Sequence, residues 1–455
     1  MRLETVLSGI PLTRSTLSKE YWQNDNSEHN LLKYMGGMGP YVQGHGYGLE
    51  YDENAFDVEQ VFIFSRHGER YPTTLLNNDL RKTFDKLKGA PVDNYVGPMS
   101  FVKDWTYFVE DDSLLEQETN TSCFSGLQDM YNFGVEIRRK YSNLIDDEAT
   151  IPLFASGSKR VCDSATAFGK GFGKGFDNDQ NQYKLIILPE KRSQGANTLT
   201  SGRSCKPYHK KQGYTKKYIA KNLVEESERL NRESPGFNIT SEDVTNLIRY
   251  CAFELNAKGS SEVCNALSMD AFIEHEYMRD TELYYTKANH PLTFTLGSVY
   301  VNATLQLLSE NPTEHQNQRV WVSFSHDTDL LYFMNAIGIL ENQQTALPTE
   351  SVAFSRFFRT SELVPMGARI VIEQLVDKTN GEKIVRILVN DAVIPLKNCQ
   401  DGPLFTCRLS TLRHMFYEKL RKNGSFSKRC EVKSGRPKYL SFYWDWVDGK
   451  YQRSK

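Results

Sequence analysis

Three short polar stretches in this chain carry residue types that do chemistry, and each follows an apolar run. Residues 62–74 read FIFSRHGERYPTT, which sets Arg66 and Arg70 around His67. Ser158, Lys159 and Arg160 come shortly after IPLFAS, and His326 and Asp327 come directly after VWVSFS. Short apolar runs rich in β-branched and aromatic residues read as buried strands. In open α/β sheets ligands bind beyond the carboxyl ends of the strands, so the three turns can converge. Arg66, Arg70 and Arg160 in one pocket repel one another unless a multiply charged anion sits between them, and planar guanidinium forks match phosphate oxygens. Neighbouring positive charge disfavours the cationic form of His67, and a neutral imidazole is a nucleophile. Asp327 offers a carboxylic acid that can protonate a departing alcohol oxygen. Together these residue types outline a hydrolase acting on phosphate esters.

The elements that must position them read as strands at Val58–Ser65, Ile151–Ser156 and Arg319–Ser325. ARIVIEQLV and EKIVRILVN flank Asn380-Gly381, a pair that favours the type I′ turn of a two-residue hairpin. Met130, Phe133, Ile137, Tyr141 and Leu144 share one helical face, and Val244, Leu247, Ile248, Cys251 and Leu255 share another. Thr240-Ser-Glu-Asp243 resembles a capping box at the start of the second helix. Strands scattered from about residue 58 to 390, with helical stretches between them, predict one α/β domain over residues 1–455. Its core spans about 50–200 and 301–455, with a mostly helical insertion at about 205–300. Asp327, followed by LLYFMNAIGIL within two residues, also suits a helix N-cap.

Composition narrows the function classes. The 455 residues carry 25% charged side chains and a formal net charge of −2, with no basic excess to recruit nucleic acid. No apolar run reaches the ~20 residues of a membrane-spanning helix, and the polar C-terminus DGKYQRSK carries no lipid-anchor signal. None of the 8 cysteines forms a C-x-x-C pair, so disulfides are their expected use. N-x-[ST] triplets at Asn120, Asn238, Asn302 and Asn423 favour the same oxidising compartment as glycosylation candidates. MRLETVLSGIPLTRS lacks the apolar core of a signal peptide, so the expectation is a leader missing from this chain rather than a cytosolic protein. GKGFGKGF at 169–176 follows a helical pattern and lacks G-K-[ST], which makes it a helix-ending loop rather than a phosphate loop. His29, His45, His209, His275, His290, His315 and His414 show no metal-ligand spacing.

The motifs also carry a resemblance. R-H-G-E-R-Y-P at residues 66–72, S-K-R at 158–160 and S-F-S-H-D-T-D at 323–329 are similar to those of the histidine acid phosphatases, in particular the secreted yeast-type enzymes. The likeness extends through GANTLT (195–200), CAFELNAKGSSEVC (251–264), NDAVIPLKNC (390–399) and SFYWDW (441–446). It implies a mixed central sheet flanked by helices. It also implies hydrolysis of phosphate monoesters through a phosphohistidine on His67, with Asp327 as proton donor and Arg66, Arg70, Arg160 and His326 binding phosphate. No cofactor or metal is implied, since arginines supply the charge that magnesium supplies elsewhere.

The resemblance further implies the disulfides Cys205–Cys430, Cys251–Cys264 and Cys399–Cys407, leaving Cys123 and Cys162 unassigned. A cysteine pair joining the segment before the first strand to the late hairpin is absent from YDENAFDVEQV and VIEQLVDKTNG, so one family disulfide is expected to be lost. SGIPL resembles the region after the family's signal cleavage, so the leader is not visible in this chain; a secreted or cell-envelope location remains the expectation from the cysteines and sequons. Phytase relatives commonly read R-H-G-A-R-Y-P. Glu69 is therefore expected beside the phosphate pocket, where its charge disfavours substrates bearing many phosphates. The alternatives are a phytase, a glycosylated surface protein acting in growth or adhesion, and an intracellular phosphomutase. Assembly into a homo-oligomer is left open.

Overall fold

The computed structural model describes residues 30–44, 49–146, 149–173, 182–209, 218, 222–315, 317–447 and 449–452. The N-terminal segment read for a leader, His29, His45 and residues 174–176 of the glycine run lie outside them.

Eight strands form one mixed sheet: β1 Phe56–Arg66, β2 Ile151–Ser156, β3 Tyr183–Leu188, β4 Val320–Ser325, β5 Arg369–Asp377, β6 Lys383–Val389, β7 Ala392–Val393 and β8 Cys407–Arg408. The order is β3-β2-β4-β1-β5-β6-β7, with β8 also on β6. The first four in that order run parallel, whereas β5 to β8 pair antiparallel. The parallel strands end level, with Arg66 opposite Ser325 and Ala155 opposite Phe324, so the residues that follow β1, β2 and β4 emerge together.

Side-chain alternation splits each strand between two cores. Phe62 and Phe64 of β1 join one, and Val61 and Ile63 join the other. The helices longer than ten residues are, in chain order, α1 Thr74–Lys88, α2 Gly126–Lys140, α3 Lys159–Phe172, α4 Asn222–Glu233, α5 Ser241–Lys258, α6 Met269–Leu283, α7 Thr293–Leu307, α8 Asp327–Ile337 and α9 Leu409–Asn423. α2 and α3 cover one face of the sheet, while α7, α8 and α9 cover the other. The α2 and α3 backbones pack closely, because a Cβ on Gly171 would fall 1.9 Å from the Tyr131 carbonyl oxygen. The part of GKGFGKGF that is described therefore forms the last turn of α3 and its packing surface.

A third apolar core holds the helical subdomain. It draws not only on 223–272 but also on 32–42 and 71–124, while α7, placed in the insertion by sequence, packs on the sheet. The capping box at Thr240 is present, with Thr240 N–H donating to Asp243 at 2.9 Å. The hairpin β5–β6 differs in its turn. Asp377 pairs with Glu382 across a four-residue loop, and only Gly381 of the Asn-Gly pair has positive φ, at 72°, so the turn is not type I′.

Disulfides join Cys205 to Cys430, Cys251 to Cys264 and Cys399 to Cys407. Where the family cysteine pair is missing, Phe56 and Asp57 still pair with Asp377 and Val376, and Lys378 bridges to Asp57 at 3.0 Å. Asn120 and Asn238 are exposed, whereas Asn302 and Asn423 are half-buried on helices. Among the described residues no helix is long and apolar enough to cross a membrane.

Candidate active site

A cavity of about 260 Å³ opens at the carboxyl ends of β1, β2 and β4. Arg66, His67, Arg70, Arg160, His326 and Asp327 all line it, so the six residues drawn from three distant motifs lie around one space. Topology brings them there: β1 delivers His67, α3 begins one residue before Arg160, and α8 begins at Asp327.

His67 is 2% exposed. Its Nδ1 lies 2.9 Å from the Gly68 carbonyl oxygen, which can only accept, so Nδ1 carries the proton and Nε2 keeps its lone pair. Burial and then Arg66, Arg70 and Arg160 push the imidazole well below its ordinary range, which favours the neutral, nucleophilic ring. The His67 and His326 rings meet edge to face at 5.9 Å.

Each arginine is anchored through a terminal nitrogen. Arg66 donates to the carbonyls of Gly37 at 2.6 Å and Val364 at 2.5 Å, and it faces Asp327 at 3.1 Å. Arg70 donates to the Tyr71 carbonyl at 2.7 Å, and Arg160 pairs with Glu116 at 3.0 Å. The Nε of all three is buried without a hydrogen-bond partner. Three guanidiniums that line one cavity call for an acceptor-rich anion between them. Burial and then Arg160 and Arg66 lower Arg70 to about 9.

Asp327 does not cap its helix. His326 occupies the cap position, and Asp327 is the first helical residue, its Oδ1 accepting from the Thr328 amide at 2.7 Å. Burial raises its carboxyl, but Arg66 and His326 outweigh that and hold it below the usual carboxylate range. Asp329, two residues on, also lines the cavity. It accepts from Ser325 Oγ at 2.8 Å and is pushed up to about 7 by burial.

Glu69 lies elsewhere than expected. It is 0% exposed, is not among the cavity's lining residues, and accepts from the Tyr41 amide at 2.7 Å. Its carboxylate ties the loop after β1 to the N-terminal segment, and its charge acts on Arg66 from outside the cavity lining.

Sequence reasoning missed Glu190. Its carboxylate accepts from Ser158 N–H at 3.1 Å and Ser158 Oγ at 2.7 Å, meets Arg203 at 2.9 Å and lies 3.0 Å from His326 Nε2. It follows β3, whose apolar run YKLIILPE was the available signal. The outer wall, also missed, comprises Thr200, Gly202, Arg203, Tyr208, His209 and Tyr332.

A mixed α/β sheet that gathers two histidines, three arginines and two carboxyls at its parallel strand ends defines an enzyme class that works on phosphate. The chain belongs to the histidine phosphatase superfamily (branch 2), whose family model matches residues 57–390. It is 38% identical to the acid phosphatase PHO1 of Komagataella pastoris, over 94% of this chain and 92% of that protein. It is 37% identical to the phytase PHO112 of Candida albicans, over 98% and 97%. The crystal structure of the phytase from D. castellii superposes with a TM-score of 0.85 at 34% identity, covering 94% of this chain and 93% of that one.

Proposed function

We propose that the chain is an acid phosphatase that cleaves phosphate monoesters in two steps. His67 Nε2 attacks phosphorus as the P–O ester bond breaks, and the departing alcohol oxygen takes the proton of Asp327. The product of this half is a phosphohistidine. Water then attacks that phosphorus, giving a proton to the Asp327 carboxylate as the N–P bond breaks and orthophosphate leaves. Arg66, Arg70, Arg160 and His326 hold the equatorial oxygens, whose charge is the main demand of phosphoryl transfer. The observation that carries this reading is the convergence of Arg66, Arg70, Arg160, His326 and Asp327 on one cavity with His67, whose Nδ1 is held by the Gly68 carbonyl. Three disulfides and two exposed sequons support a secreted or cell-envelope location.

The test is hydrolysis of an aryl phosphate by the purified protein and by His67→Ala, at acidic and neutral pH. The expected result is acid-favoured turnover that falls by roughly 10⁴-fold or more in the variant. Equal activity in both removes His67 from its role, and activity in neither favours a non-enzymatic surface protein. A phytase is the second reading, supported by the two phytase relatives. A kcat/KM for inositol hexakisphosphate above that for the aryl ester would select it.

A further inference from the structure

The loop that carries His67 is braced from behind by groups outside the cavity lining. Gly68, whose carbonyl holds His67 Nδ1, donates its own N–H to Ser164 Oγ at 3.0 Å. Ser164 Oγ–H donates in turn to Glu118 Oε1. Residues 117–119 also pair with the loop backbone. Tyr71 N–H donates to Gln117 O at 2.9 Å, and Thr119 N–H donates to Glu69 O at 2.8 Å. This pairing fixes the Glu118 side chain against Gly68. Two glycines make the room: a Cβ on Gly68 would fall 2.7 Å from Glu118 Oε2, and one on Gly126 would fall 2.3 Å from it.

A carboxyl in that place needs a reason. Glu118 is 6% exposed, and an apolar side chain would fill the space without a desolvation cost. What the carboxyl supplies is direction. A serine hydroxyl has one proton, and sending it to Glu118 turns a lone pair toward the Gly68 N–H. Without that acceptor the hydroxyl has the Arg160 carbonyl, 3.0 Å away, as its alternative.

We propose that Glu118, acting through Ser164, is a positioning residue for His67: it fixes Gly68, and Gly68 fixes the tautomer and aim of the imidazole. The proposal rests on reading His67 as the nucleophile. Neither Glu118 nor Ser164 lines the cavity, and a change in either side chain leaves in place the backbone pairing of residues 117–119 with the loop that also carries Arg70. Loosening the side-chain brace should therefore act more on the attack than on affinity, and a misplacement of about 1 Å costs on the order of a hundredfold in rate.

The experiment compares Glu118→Leu, Ser164→Ala, Glu118→Gln and His67→Ala with the wild type on an aryl phosphate. It records kcat, KM, inhibition by inorganic phosphate, and the rate of phosphoenzyme formation by rapid quench. Thermal unfolding checks that each variant is folded. The expected outcome is a fall of roughly 10- to 100-fold in kcat and in phosphoenzyme formation for Glu118→Leu and Ser164→Ala. KM and phosphate inhibition should move less than about threefold. Glu118→Gln, which keeps an acceptor for Ser164, should recover most of the loss. A kcat within about threefold of wild type in folded Glu118→Leu or Ser164→Ala overturns the proposal, as does equal loss in Glu118→Gln. Full activity in His67→Ala instead overturns the nucleophile assignment beneath it.

Discussion

Asp327 must hold a proton beside a guanidinium that favours its loss. Arg66 at 3.1 Å keeps the carboxyl below its usual range in the free enzyme. A phosphate dianion bound to Arg66 competes for that charge and returns the proton to Asp327. His67, pushed below its ordinary range by burial and the arginines, takes up its proton only at lower pH than a free imidazole does. The sign is therefore fixed: kcat falls as pH rises through the ionisation of Asp327 in the complex. A pH–rate profile on an aryl phosphate should descend between about pH 4 and 8, and a flat profile there contradicts the role of Asp327. Glu190 carries a second prediction. Burial raises its carboxyl, but the bonds to His326 and Ser158 outweigh that and keep it ionised, and the same bonds fix the His326 ring. Glu190→Gln should cost roughly 10- to 100-fold in kcat/KM, measured beside a thermal-unfolding control. Unchanged kcat/KM would make Glu190 a bystander.

At the scale of elements, what could be read from sequence is what a single element displays. Ile151–Ser156 and the strand before His326 stood out because each is apolar along its length, as strands buried on both faces must be. β3 has an edge position and an alternating pattern of burial, with Ile187 55% exposed, so its signal was weaker and Glu190 was lost with it. Glu69 was misplaced for a different reason. Its position in the motif says that it is near the histidine, but the Tyr41 amide that claims it lies 28 residues away. The same limit hid the clasp between α6 and residues 353–360. Arg356 donates to Glu276 at 2.5 Å and to Asp280 at 2.7 Å, and Asp280 also accepts from the Thr360 amide at 2.7 Å. Removing the cation leaves two buried carboxyls without it. Arg356→Met should cost about 3–5 kcal/mol in urea unfolding near neutral pH. The cost should shrink in acid, because burial already raises both carboxyls and protonation removes their charge. A loss below about 1 kcal/mol at neutral pH would show that the clasp is dispensable.

The whole molecule extends this balance of buried charge to its response to pH. Glu118, Glu254, Glu276, Asp280 and Asp329 are all held above the ordinary carboxylate range, mainly by burial, with Asp329 at about 7. A group raised in the folded state contributes stability that is full below its unfolded value and is lost as pH rises through its folded value. These five therefore favour the fold in acid and withdraw support between about pH 4 and 7 or beyond. His67, His275 and His290 oppose them. Burial lowers all three, so the unfolded chain takes up protons first and stability falls as pH drops below about 6.5. The carboxyls and the imidazoles pull in opposite directions between about pH 4 and 7, with the carboxyls expected to win. A floor comes from Glu190, Glu226, Asp243, Asp327, Glu373 and Asp391, which are held low by partners and lose their contribution as pH falls below about 4. Maximum stability should thus lie near pH 4.5–5.5, roughly where the proposed chemistry runs, and should decline by on the order of 1–3 kcal/mol per pH unit above it. Differential scanning calorimetry between about pH 3 and 8 should find the Tm highest in that window and several degrees lower near pH 7.5. Asp329→Asn, which cannot ionise, should flatten the part of the decline between pH 5 and about 7. A Tm that climbs steadily from pH 5 to 8 would mean that the buried histidines, and not the carboxyls, dominate the response of the fold to pH.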